Sequence, residues 1–218
     1  MFDVNYFLEV FPTIARAFQV TIEVTAAGIA VAMVLGLFID LGRRTRIAPV
    51  RWVVEFIRDF IQNTPLILQA FFFFWIFPQY GGFKLDALLS GIIVIGIQYA
   101  AYTAEVYRAG IDAVPAGQWQ AARALNFSRA DTWRRIILPQ AIPPIFPALG
   151  NYLISMLKDT PQLLVIGVLG MAGTAQAIGN QTYEYGEPMV VAGIIFVIAS
   201  YILSLGVRRL EARFGRLT

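Results

Sequence analysis

Two residue types are missing from this chain of 218 residues, which has no cysteine and no histidine. Without cysteine there is no disulfide framework, thiol nucleophile or thiolate metal ligand. Without histidine there is no imidazole acid, base or ligand. Charge is scarce too: 14% of the residues are charged, against about 25% in an ordinary soluble domain. The formal charge of +3 is too small to suggest a nucleic-acid partner. No G-x-x-x-x-G-K-[ST] segment occurs, so ATP is not bound through a P-loop. What remains is apolar, with 58% hydrophobic residues, and such a composition calls for lipid as solvent.

A spanning helix needs about 20 mostly apolar residues. Five stretches qualify: residues 18–41, interrupted only by Glu23 and Asp40, then 60–77, 87–104, 138–157 and 188–207. A sixth stretch, residues 163–183, is weaker. It carries Gly167, Gly170, Gly173 and Gly179 and turns polar at Gln176, Asn180, Gln181 and Thr182. Lys and Arg gather on the cytoplasmic side of membrane proteins. With five crossings, Arg43, Arg44, Arg46, Arg51 and Arg58 share a side with Arg108, Arg123, Arg129, Arg134 and Arg135, and with Arg208, Arg209, Arg213 and Arg216. Only Arg16, Lys84 and Lys158 fall elsewhere. The expected fold is therefore an all-α integral membrane domain over residues 1–218, with five spans, N-terminus out and C-terminus in. Residues 163–183 are expected as a re-entrant or surface helix, since broken backbone at membrane depth must be buried in protein or line a cavity. The N-terminus does not read as a cleaved signal peptide, because Asp3 and Glu9 precede the first apolar run and no basic segment does.

Residues 109–138 form the one sizeable polar loop. Pro115 suits a first helical turn, and residues 118–125 are good helix formers with a slim face of Ala121, Ala122 and Ala124. Asn126 tolerates the left-handed conformation that ends a helix. Ser128 offers an N-cap, with Asp131 three residues on. A second helix then carries Trp133, Ile136 and Ile137 on its apolar side, and Pro139 is expected to limit it. Two short helices meeting at a turn suit either a headgroup-bound loop or a knob that docks into a soluble partner.

The loop resembles the coupling loop of ABC importer permeases, where Glu-Ala-Ala is followed by Gly four residues after the second Ala and then by Ile-x-Leu-Pro. Here the segments are Gln120-Ala121-Ala122, Asn126 and Ile136-Ile137-Leu138-Pro139. Gln drops the charge but keeps hydrogen bonding, and Asn keeps access to positive φ. Across nearly its whole length the chain is similar to permeases for polar amino acids. The matching segments are Gln62-Asn63-Thr64-Pro65-Leu66, with Arg58 displaced from the family's Arg position, residues 101–111, Leu138-Pro139-Gln140-Ala141, Gly150-Asn151-Tyr152 and residues 158–163. Pro161, where that family has Ser, resembles the ectoine/hydroxyectoine type. The resemblance implies docking of an ATPase on Gln120, Ala121, Ala122, Leu125, Asn126 and Phe127. It also implies a second permease of the same or a related chain, a pair of ATPase subunits using ATP and Mg, an extracytoplasmic solute-binding protein and a place in the bacterial inner membrane. The chain itself is expected to bind no cofactor and to catalyse no reaction.

Polar groups within spans are costly and mark either interhelical hydrogen bonds or a solute path. Gln69, Gln98, Tyr102, Asn151, Ser155, Lys158 and Asp159 are the path candidates, with Tyr99 beside them. Lys158 and Asp159 are neighbours in sequence and so point in different directions. Pro161 is expected to open the helix at Thr160. Glu105 is expected to pair with Arg108, three residues on. The aromatic run at residues 71–75, with Phe77, is expected to face lipid or an interface. An ATP-independent channel or carrier subunit is the competing reading. A carrier often shows inverted repeats, which are not evident here, and has no need of the loop at residues 120–126. A membrane-embedded enzyme lacks the clustered acids, bases and ligands it requires.

Overall fold

The computed structural model describes residues 2–81 and 84–214, with no side-chain description at 213 and 214. Arg216 and the side chain of Arg213, both assigned above to the basic side, lie outside the described residues. Among the described residues eight helical elements follow one another. They are α1 (Val4–Arg43), α2 (Ala48–Asn63), α3 (Leu66–Gly81), α4 (Ala87–Asp112), α5 (Ala116–Ala124), α6 (Arg129–Ile166), α7 (Met171–Thr182) and α8 (Gly186–Phe214). Asp3 caps α1 through the Asn5 and Tyr6 amides, and Asp86 caps α4 through the Leu89 amide.

α1, α4 and α8 are each long and apolar enough to cross a membrane. The bent pairs α2–α3, at 106°, and α6–α7, at 42°, bring the number of crossings to as many as five. Contacts fix their directions. Gly28 lies against Ile95, Gly36 against Thr103, and Tyr107 donates to the Met33 carbonyl at 3.1 Å, so α1 and α4 run parallel. Gly91 lies against Leu163 and Gly110 against Ile145, so α6 runs back along α4. The Asp3 amide donates to Glu187 at 2.8 Å, which joins the starts of α1 and α8. The N-terminus and the end of α8 therefore lie at opposite ends of the bundle.

α1 and α4 approach closely because small residues line their contact. A Cβ on Gly36 would sit 2.0 Å from Thr103 Oγ1 and 2.9 Å from the Ala100 carbonyl. Thr103 uses this closeness to donate to the Ala32 carbonyl at 2.8 Å. Val24, Ile95, Met156, Leu163 and Ile166 are buried in the main core, while Val10, Ile14, Met171, Ala175 and Val191 form a second core among α1, α7 and α8.

Three local expectations are corrected. Residues 60–77 are not one straight span: the chain turns at Thr64, whose backbone is extended (φ −108°, ψ 136°) because Pro65 follows it. Pro139 does not limit its helix, because a π turn over Thr132–Ile137 leads into it and the helix runs on through Leu138–Asp159. Pro161 does not open the chain. Thr160 stays helical (φ −54°, ψ −32°) and begins a tighter 3₁₀ turn over Thr160–Ile166, its hydroxyl donating to the Leu157 carbonyl at 2.7 Å. Gly167, at φ 85°, then ends the turn in the left-handed region and lets α7 depart. As expected, the glycine-rich stretch adds no sixth crossing. It continues α6 in the same sense, from Met171 beside Thr21 to Thr182 beside Tyr6.

Candidate functional site

On α4, Gln98, Tyr102 and Glu105 are spaced four and three residues apart and share one face. On α6, Tyr152, Ser155 and Asp159 do the same. α4 and α6 bring the two stripes together. Tyr102 stacks on Tyr152 with centroids 5.6 Å apart, and Tyr99 meets both rings edge-on at 5.8 and 6.2 Å. The Tyr99 hydroxyl donates to Asp159 at 2.7 Å, and Gln162 donates to its other oxygen at 3.2 Å. At the far side, Gln69 Nε2 lies 2.6 Å from Gln98 Oε1 and 2.6 Å from the Thr64 hydroxyl, with the Ile61 carbonyl at 3.0 Å. Gln98 in turn reaches the Tyr102 hydroxyl at 3.5 Å. Gln69 thus braces the Thr64–Pro65 corner while starting a polar row that ends at Asp159.

Lys158 is exposed and points away from Asp159, as adjacent helical residues must. Asn151 is exposed beside Tyr152, and Ser155 is half-buried. The structure therefore brings Gln69, Gln98, Tyr102 and Asp159 into one run, with Ser155 on the same face of α6, and leaves Asn151 and Lys158 at its margin. Tyr99, Tyr152 and Gln162 complete it. Tyr152 and Gln162 were not among the path candidates read from the sequence, although Tyr152 stands seven residues before Asp159 and shares its helical face. A cleft of about 370 Å³ between Tyr152, Ala148, Ile145 and Gly110 continues from the tyrosines to Glu105.

Glu105 is not paired with Arg108. Its Oε1 takes Arg43 at 2.6 Å and also Arg58, which reaches in from α2. Arg108 turns to Asp112 instead, at 3.5 Å. Arg43 Nε and Arg58 Nε are buried and have no hydrogen-bond partner among the described residues. Arg44 binds the fully buried Asp40 at 2.9 Å and Asp112 at 2.9 Å. Partial burial pulls the Arg44 pKa down, but hydrogen bonds and charge from Asp40 and Asp112 outweigh it and hold it above the ordinary value. Arg58 and Gln62 lie one turn apart on α2. Gln62 donates to the Ala101 carbonyl at 3.1 Å, so α2 is pinned across the end of α4 by both.

At that same end, α5 and the start of α6 form a small self-contained knob. Trp119 and Trp133 meet edge to face at 5.4 Å over buried Val114, Ile137 and Ala141. Asn126 takes φ 55° and ends α5, and the Ser128 hydroxyl accepts from the Asp131 amide at 3.0 Å to begin α6. Gln120, Ala121, Leu125, Asn126 and Phe127 are exposed, Leu125 by 69%. Ala122 is the exception. It is fully buried against its own chain, and its carbonyl accepts the Phe127 amide at 3.0 Å, so its side chain is not offered to a partner.

Residues 28–216 match the family model described as the binding-protein-dependent transport system inner membrane component. A probable amino-acid ABC transporter permease of Sinorhizobium fredii is 40% identical over 214 residues, covering 98% of this chain and 92% of that protein. The arginine transport system permease ArtQ of Bacillus subtilis is 31% identical over 193 residues, covering 88% of each chain. Among solved structures, an amino acid ABC transporter with histidines superposes with a TM-score of 0.91 at 32% identity, covering 98% of this chain and 99% of that one. The methionine ABC transporter MetNI, in an inward-facing conformation, shares the fold, with a TM-score of 0.72 at 18% identity over 98% of this chain and 99% of its own. With an all-helical fold that has up to five candidate crossings and the match over most of its length, this chain belongs to the family of binding-protein-dependent transport system inner membrane components, the permeases of ABC transporters.

Proposed function

We propose that the chain forms the translocation path of an ATP-driven importer for a small zwitterion, an amino acid or an amino-acid-like compatible solute such as ectoine. The observation that carries the proposal is the polar and aromatic run from Gln69 through Gln98, Tyr102, Tyr152 and Tyr99 to Asp159, continued by the cleft toward Glu105. Asp159 supplies a carboxylate for an ammonium group, and the tyrosine faces attract a cation. Lys158 is exposed at the margin of the run and points away from Asp159, so a solute carboxylate would meet it only outside the run. The similarity to permeases named for amino acids and arginine supports the amino-acid class, and ectoine is a narrower member of the same charge type.

The solute is delivered by an extracytoplasmic binding protein, and a second permease, identical or related, closes the path. ATP and Mg are used by a separate pair of ATPase subunits docked on the tip formed by Gln120, Ala121, Leu125, Asn126 and Phe127. This chain binds no cofactor and no nucleic acid, lies in bacterial inner-membrane lipid and has its N-terminus outside. An exposed apolar tip on a basic membrane face has no purpose in an ATP-independent channel or carrier, which disfavours that alternative.

The test is uptake into proteoliposomes holding the permease with its ATPase and binding protein, using labelled amino acids and ectoine. Asp159→Asn is expected to lower uptake about 10–100-fold, the worth of one charged hydrogen bond, with the complex still assembled. Tyr99→Phe removes the same bond from the protein side and is expected to keep most uptake. Equal loss of assembly in both variants would make Asp159 a structural residue.

A further inference from the structure

We propose that the groove between α1, α6 and α8 holds an acyl chain of a phospholipid whose anionic headgroup is bound by Arg209. The groove has a volume of about 360 Å³, and Phe18 and Ile22 of α1, Leu153 and Leu157 of α6, and Ile198 and Ile202 of α8 line it. Its one hydroxyl is turned inward, since Thr25 donates to the Thr21 carbonyl at 2.7 Å. Water finds no partner on such a wall, and a zwitterion finds none either. Hydrocarbon is the occupant this surface suits. Ile198 and Ile202 are 53% and 61% exposed, so the groove opens away from the bundle, toward lipid.

Charge complementarity identifies the lipid. Arg209 stands seven residues after Ile202 and eleven after Ile198, which places all three on one helical face. At 1.5 Å per residue it lies about 9 Å past Leu203, the end of the groove. Between them Gly206 keeps that face bare, with no atom of another element or of a side chain among the described residues within 4 Å of where a Cβ would sit. Arg209 is exposed and makes no ion pair among the described residues. Its neighbour differs: Arg208 donates to Ser204 at 3.3 Å and lies 6.0 Å over the Tyr201 ring. An apolar trough that ends in one unpaired cation has the shape and charge order of a single anionic phospholipid. The inference requires only that the chain lies in a bilayer, and it is independent of the transported solute.

Native mass spectrometry of the full-length protein in detergent, titrated with phosphatidylglycerol or phosphatidylethanolamine of equal chain length, tests it. Wild type is expected to retain phosphatidylglycerol preferentially. Arg209→Gln is expected to lower that preference about fivefold, the order of one basic residue's attraction to an anionic lipid surface, and Arg208→Gln to leave it unchanged. Ile198→Trp fills the groove from an exposed position and is expected to weaken retention of both lipids. An unchanged lipid ratio in Arg209→Gln would overturn the headgroup assignment, and full retention in Ile198→Trp would overturn the groove. A disulfide between two copies carrying Ile198→Cys would give the groove to a second permease instead.

Discussion

Gly36 sits where α1 meets α4, and a methyl group there would land 2.0 Å from Thr103 Oγ1. Gly36→Ala is therefore expected to push the helices apart, break the Thr103 bond to Ala32 and cost about 1–3 kcal/mol, as overpacking does. A thermal melt in detergent checks this, with Gly117→Ala as control, because nothing lies within 4 Å of its Cβ position. Glu105→Gln is expected to cost about as much, since it strips the shared carboxylate from Arg43 and Arg58. Part of that ion pairing is screened because Glu105 is 37% exposed. Arg108→Gln is expected to cost less than about 1 kcal/mol, because Arg108 and Asp112 are both solvent-facing. The same melts, read as midpoint shifts, rank the three. That Gln69, Gln98, Tyr102 and Asp159 are polar groups set inside apolar runs was legible in the sequence, and the structure brings them into one run. The partner of Glu105 was not, because local spacing offers Arg108 while the actual partners come from 62 and 47 residues away.

α5 and the first turns of α6 were the most legible elements, since the signals that build them are local. Asn126 at φ 55° and the Ser128–Asp131 cap stand where their side-chain chemistry asks for them. The bends were less so. Proline marks the positions of Pro65, Pro139 and Pro161, but whether the chain turns, widens into a π turn or tightens into a 3₁₀ turn depends on what packs around it. At Thr64, Gln69 holds the corner; at Thr160, a hydroxyl bond to Leu157 keeps the helix wound. Burial of Ala122 also escaped a sequence reading, because an alanine face does not say whether it turns inward or toward a partner. Four outcomes follow for the knob. Asn126→Gly is expected to keep its shape, while Asn126→Val, strained at positive φ by about 1–3 kcal/mol, is expected to unravel the tip. Leu125→Ala, at an exposed side chain, is expected to leave the melting midpoint alone yet lower solute-stimulated ATP hydrolysis in the assembled transporter. Ala122→Trp is expected to disrupt both. Hydrolysis and melting measured on the four variants separate folding of the knob from docking.

Across the whole molecule, the parallel course of α1, α4 and α8 and the return of the bent pairs α2–α3 and α6–α7 leave the chain's two ends on opposite faces. The basic residues follow that division. Arg43, Arg44, Arg58 and Arg108 meet at one end, and the α5–α6 knob with Arg123, Arg129, Arg134 and Arg135 lies at that end as well. Arg208 and Arg209 lie on the last turns of α8, at the end opposite the Asp3–Glu187 contact. Lys and Arg are retained on the cytoplasmic side during insertion, so this end is expected to be cytoplasmic. Reporter fusions read it directly. A reporter active only in the cytoplasm is expected to work when inserted at Phe127 or after Ala212, and to fail at Tyr183, between α7 and α8. An active fusion at Tyr183 together with one after Ala212 would mean that α8 does not cross. Activity at Tyr183 alone would turn the whole bundle over, placing the knob proposed to dock the ATPase outside the cell, where no ATP is available, and would remove the proposed importer function together with the topology.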